Sequence, residues 1–159
     1  MNKIGFLIIS IFILSVSISK AQNYKTAVGV RGGFPTGLNA KYFFTKKDAV
    51  EAIVSAYRGG FEITALYEKQ SNAFDIPYLE WYYGGGFHAG FFNADIARPG
   101  YYFEGRGRGF TIGLDGVIGL EYVFTNIPWV LGIDLKPTYD FTPNPGIWFG
   151  GGISFRFYF

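Results

Sequence analysis

The chain has no cysteine, one histidine (His88) and one methionine. Without cysteine there is no disulfide framework and no thiolate zinc site. One histidine among scattered carboxylates lacks the ligand spacing of a metal centre, so neither metal nor cofactor is expected. Net charge is also nearly absent. The formal charge is +2 over 159 residues, and loss of a leader carrying Lys3 and Lys20 would bring basic and acidic residues level. That balance gives no electrostatic footprint for nucleic acid. Long apolar sequence is scarce too. Beyond one run near the start, no stretch approaches the roughly 20 apolar residues of a membrane-crossing helix.

That single run follows a short basic segment, Met1-Asn2-Lys3, and extends from Ile4 to Ile18. Ser19-Lys20-Ala21 then places small residues at the −3 and −1 positions of a cleavage site. Residues 1–21 are therefore expected to be a cleaved signal peptide, and residues 22–159 one exported domain.

Aromatics at 21% and 23 glycines set the remainder apart from an average soluble domain, and their arrangement is regular. From Ile147, alternate positions read Ile147, Phe149, Gly151, Ile153, Phe155, Phe157 and Phe159. The positions between are Trp148, Gly150, Gly152, Ser154, Arg156 and Tyr158. This is a period-2 strand with one greasy and one small or polar face, longer than the roughly 9–11 residues that cross a bilayer when tilted. Seven further alternating segments precede it, over 24–34, 37–45, 49–58, 60–69, 79–93, 110–124 and 129–141. Turn signals such as Pro35-Thr36-Gly37, Arg58-Gly59-Gly60 and Thr142-Pro143-Asn144-Pro145-Gly146 separate them. An even number of strands in hairpin succession predicts an all-β, eight-stranded antiparallel up-and-down barrel.

Which face points inward is a question of volume. A soluble, lipocalin-like barrel would turn its greasy faces in, but an eight-stranded interior barely holds ordinary side chains. The many Phe, Tyr and Trp would overfill it. Turned outward they meet lipid, while glycines and charges occupy the lumen, which predicts a transmembrane barrel. With the N-terminus on the periplasmic side, Tyr24, Tyr42, Phe44, Tyr67, Trp81, Tyr83, Tyr122, Phe124, Trp129, Phe157 and Phe159 form one aromatic girdle. Phe34, Phe61, Phe91, Phe110, Tyr139, Phe141 and Phe149 form the other. The long 94–109 connection then lies outside the cell. Gln70 to Tyr78 is an unexpectedly long turn on the other side, and Pro137 calls for a bulge near the outer rim.

The stretches Trp81-Tyr82-Tyr83-Gly84-Gly85-Gly86-Phe87-His88, Gly119-Leu120-Glu121-Tyr122-Val123-Phe124 and Asp134-Leu135-Lys136-Pro137 resemble small outer-membrane β-barrel proteins of Bacteroidetes-type bacteria. In plan the chain is similar to OmpA-type and OmpX-type eight-stranded barrels. The terminal Phe159 resembles the recognition signal of such proteins. The resemblance implies the bacterial outer membrane as location, lipid and lipopolysaccharide as surroundings, and the barrel-assembly machinery as a partner during insertion. It also implies a monomer, and it brings no catalytic residue.

The inward faces hold Lys25, Arg31, Lys41, Lys136 and Arg156 against Glu51, Glu62, Glu68, Asp115, Glu121, Asp134 and Asp140. Because isolated charges in a dry interior are costly, this mixture predicts a salt-bridged plug more readily than a narrow channel. Arg31 and Arg156 stand on the first and last strands, which meet at closure, and each planar fork can hold two carboxylates. His88 is the one candidate for lipid A-modifying catalysis. Set between Gly86 and Gly90 with no serine motif, it reads better as a histidine satisfied by a lumen carboxylate. The glycine triplets 84–86 and 150–152 lie within strands and so are no phosphate cradle. In the 94–109 connection, Arg98, Arg106 and Arg108 with Tyr101, Tyr102 and Phe103 form a basic, aromatic surface suited to lipopolysaccharide phosphates. A solvated loop is the competing reading.

Overall fold

The structure, a computed structural model, describes residues 24–57, 60–93, 108–142 and 145–159. Eight strands follow one another: β1 (Thr26–Phe34), β2 (Thr36–Phe43), β3 (Asp48–Tyr57), β4 (Gly60–Asn72), β5 (Leu79–Asn93), β6 (Arg108–Val123), β7 (Trp129–Thr142) and β8 (Gly146–Tyr158). Each pairs antiparallel with its neighbour, and β1 pairs with β8 from Ala27↔Tyr158 to Phe34↔Gly151, closing the barrel. Closure leaves no strand edge to template association. One rim carries residues 24 and 159 and the turns before β3, β5 and β7 (the terminal rim). The other carries the remaining connections (the loop rim). The expected signal peptide lies outside the described residues.

Burial is inverted relative to a water-soluble barrel. Leu135 and Ile147 are 65% exposed and Phe149 82%, whereas Lys41 and Glu121 are 0% and Arg156 is 1%. Strand alternation produces this directly, since successive side chains point to opposite faces. The outward aromatics gather at both rims. At the terminal rim Trp129 stacks on Phe155 with centroids 4.3 Å apart, and Trp81 on Tyr83 at 5.1 Å. At the loop rim Phe61, Phe91 and Phe110 form a chain of tilted contacts, 5.9 and 5.3 Å.

Three expectations require correction. Tyr24 is buried inside the barrel and Lys25 is exposed, its ammonium 5.7 Å from the Tyr42 ring centre. Both precede the first ladder residue, so the parity that governs β1 does not extend to them. The long turn at 70–78 is shorter than the sequence suggests because β4 continues to Asn72. Gln70 thereby joins Glu62 and Glu68 on the inward face. The bulge expected at Pro137 falls instead where Gly113 pairs with Asp140 and Ile112 with Thr142, which leaves Phe141 as the extra residue. Pro137 keeps its pairing with Phe149 of β8. On its β6 side it sits against Gly116, where an added Cβ would come within 3.2 Å of the proline ring.

Candidate functional site

The described residues concentrate their polar chemistry in the lumen, in two charged tiers. The tier toward the terminal rim is centred on Arg156 of β8. Its guanidinium donates to Glu51 of β3 and to Glu121 of β6, both at 2.8 Å. Lys41 of β2 enters the same network. Its ammonium lies 2.8 Å from Glu68 and 3.3 Å from Glu121, donates to Gln70 at 2.6 Å, and sits 4.3 Å from the centre of the Tyr82 ring. Gln70 passes the network on by donating to Glu80 at 2.5 Å and to Glu121 at 2.9 Å. The Tyr24 hydroxyl also donates to Glu121, at 2.5 Å. Glu121 thus collects four donors from four separate segments of chain, a density that a charge-assisted carboxylate can sustain.

The second tier, toward the loop rim, is built on His88 of β5. Its Nδ1 lies 2.9 Å from Asp115 and its Nε2 3.1 Å from Asp140. Asp115 also holds Lys136 at 2.5 Å, and Lys136 reaches the Thr64 hydroxyl at 3.5 Å. Glu62 is buried beside Lys136 and His88. Arg31 of β1 pairs with Asp134 of β7 and donates to the Pro35 carbonyl at 3.2 Å. Of the two arginines expected to clamp two carboxylates, Arg156 does so and Arg31 holds one.

Apolar groups bracket the first tier. Tyr24, Ala27, Phe43, Ala49, Val123 and Val130 pack together at the terminal rim, with Tyr158 against them. Ile53, Leu66, Tyr82 and Val117 form a second cluster farther along the lumen. The buried ionisable groups are unbalanced. Among the described residues, Glu51, Glu62, Glu68, Glu80, Asp115, Glu121, Asp134 and Asp140 are buried with Arg31, Lys41, Lys136 and Arg156, and with His88 as the remaining base.

Inward glycines provide the room for these side chains. A Cβ on Gly113 would lie 2.4 Å from the His88 ring, and one on Gly119 2.5 Å from the Tyr82 ring. Gly132 similarly makes way for Ser154, 2.6 Å from its would-be Cβ, and Gly152 for the Arg31 guanidinium. Each seat is on a strand beside the side chain that uses it. The glycines therefore carry the shape of the lumen without contributing an atom to its chemistry.

Arg31, Lys41, Lys136, Arg156, Glu62, Asp115, Glu121 and Asp134 are all buried and inward. The structure divides them between the two tiers. Missing from the lumen in the sequence reading were Gln70, Glu80 and Asn39, while Tyr24 was placed on the outward girdle. Asn39 donates to Glu51 at 2.6 Å. Alternation beyond residue 69 would have found Gln70, whereas Tyr24 left no signal. Arg98, Arg106, Tyr101, Tyr102 and Phe103 lie outside the described residues, as does the side chain of Arg108. No group of acidic or histidine side chains among the described residues could hold a metal ion.

No protein-family model matches the sequence, and no curated protein matches it. Among solved structures, the chain is similar to the N-terminal β-barrel domain of OprF from Pseudomonas aeruginosa, with a TM-score of 0.59 and 17% identity. The likeness covers 86% of this chain and 98% of that one. At such identity it is a likeness of fold: the chain shares with that domain an all-β, closed, eight-stranded antiparallel barrel.

Proposed function

We propose that the protein is a monomeric bacterial outer-membrane barrel, exported by way of a cleaved leader, with a plugged lumen and a structural or surface-interaction role. The observation that carries this reading is the inverted burial, charges inside and aromatics outside. In water that arrangement exposes apolar area on all sides, whereas in a bilayer it satisfies both faces. Insertion by the barrel-assembly machinery belongs to the same reading. Kinship with the small Bacteroidetes-type barrels rests on the sequence stretches at 81–88, 119–124 and 134–137 alone. Detergent-folded protein is expected to migrate faster on gels before boiling than after, with a β-rich circular dichroism spectrum. A chain that dissolves without detergent and shows no shift would overturn the assignment.

The plug is supported by the terminal-rim cluster and by the tight pairing of the first tier, which together occupy the lumen. A narrow channel would need both to part. The enzyme alternative meets a different obstacle. Both nitrogens of His88 face carboxylates, which leaves neither ring nitrogen to act on a lipid A substrate. His88 reads better as the hinge between Asp115 and Asp140.

The connection after β5 concerns a partner; it is shorter than the expected 94–109, because β6 begins at Arg108, which pairs with Asn93. Arg98 and Arg106 in the connection, Arg108 at the start of β6 and the neighbouring aromatics suit the phosphates of lipopolysaccharide. Purified protein with Arg98, Arg106 and Arg108 all changed to Gln is expected to retain less lipopolysaccharide than wild type. Equal retention would remove the loop from the account.

A further inference from the structure

The outer wall carries a feature that the lumen does not explain. Residues 73–78 turn the chain from β4 into β5, and Phe74, Asp75 and Tyr78 take positive φ values of 56°, 56° and 67°. Such values are uncommon for residues other than glycine, and this turn contains none. Short bonds hold the shape. The Ala73 amide donates to the Leu79 carbonyl at 2.8 Å, and the Asn72 side chain to the Ile76 carbonyl at 2.8 Å. With Ala73 buried, Phe74 stands 79% exposed. The turn places its largest apolar side chain out over the barrel wall.

Phe74 lies at one end of an open groove of about 940 Å³ that runs across the outside of β5 to β8. Its floor is a continuous row of cross-strand pairs, Trp81↔Leu120, Leu120↔Ile133 and Ile133↔Ile153. Beside that row Leu135 pairs with Gly151, whose missing side chain deepens the groove. Three strand steps of about 4.8 Å give a length of roughly 14 Å. Because the row crosses strands tilted by about 35–45°, it descends roughly 8–10 Å along the membrane normal, within one leaflet of a hydrocarbon core about 30 Å thick. Strand tilt slants the row away from the terminal rim toward the middle of the wall. The groove is apolar along its length, continuous with the outward greasy belt, and begins at the aromatic rim where lipid headgroups sit.

We propose that this groove seats an acyl chain of a glycerophospholipid from the leaflet at the terminal rim, with Phe74 closing over it. The inference rests on the membrane reading above. It adds a bound lipid where that reading implies only a general lipid surface. A second protein copy fits less well, because the broad wall of another barrel would span a slot three strand steps long without entering it.

The test compares wild type with Phe74→Ala, which removes the closing ring, and Ile153→Trp, which fills the groove from an outward position. Each protein is folded with mixed glycerophospholipid and lipopolysaccharide, washed in mild detergent and read by native mass spectrometry. Wild type is expected to retain glycerophospholipid, and both variants to lose it several-fold while still shifting on boiling. Equal retention by all three, or retention of lipopolysaccharide alone, would overturn the groove assignment. A wild type that shifts on boiling but holds no lipid defeats the groove and leaves the membrane reading standing. Absence of the shift defeats both.

Discussion

Changing Arg156 to Met is expected to destabilise the barrel by about 3–5 kcal/mol, the usual consequence of removing one partner from a buried ionic group. The expectation follows from what stays behind. Glu51 and Glu121 each lose a bond of 2.8 Å, and both are sealed from solvent, at 4% and 0% exposure. Lys41 remains near Glu121 but already serves Glu68 and Gln70, so it cannot neutralise both carboxylates. Urea unfolding in lipid vesicles would measure the loss. A second variant separates charge from packing: Arg156→Met combined with Glu51→Gln and Glu121→Gln leaves no stranded charge and should recover most of the stability. If the triple variant were as unstable as the single one, the arginine would matter through its volume. The network would then be a packed filler and not an electrostatic one.

The dependence on cross-lumen partners also marks the limit of what the sequence discloses. The strands are legible because alternation is a local property, and Phe149, Phe155 and Phe157 announce an outward face without reference to any other strand. The same alternation places Arg31, Lys41, Lys136 and Arg156 inside. It cannot say that Arg156 reaches β3 and β6 while Arg31 reaches β7, because lumen neighbours are fixed by barrel shear and not by sequence distance. Tyr24 shows the opposite failure. It is aromatic and has the outward parity of Val28 and Val30, yet it lies before the ladder begins and folds inward to Glu121. Gln70 was hidden by a strand ended three residues too early. The turn at Phe74 was invisible for a more basic reason. In Ala73-Phe74-Asp75-Ile76-Pro77-Tyr78 only Asp75 belongs to a type that tolerates left-handed backbone, and nothing signals it at Phe74 or Tyr78.

Placing arginine at Leu114 asks of the greasy face what the Arg156 variant asks of the lumen. Leu114 lies midway along β6, 54% exposed, paired with Phe87 on one side and Tyr139 on the other. If that face meets hydrocarbon, Leu114→Arg should cost about 2–4 kcal/mol, the penalty for a cation at the bilayer midplane. The same change at Ile127, in the turn before β7, should cost only about 0–1 kcal/mol, because the penalty falls away toward the interface. Were the barrel surrounded by water, both sites would be ordinary exposed positions, with effects within about 0.5 kcal/mol. Vesicle-based urea unfolding of the two variants therefore reads depth directly. Equal, small effects would mean that the exposed aromatics cover themselves by association and not in a membrane. A steep difference between residues 114 and 127 would show that lipid is the solvent to which this inverted barrel is adapted. The charged interior would then be the necessary counterpart of that surface, since eight strands leave the polar half of each alternating segment nowhere else to go.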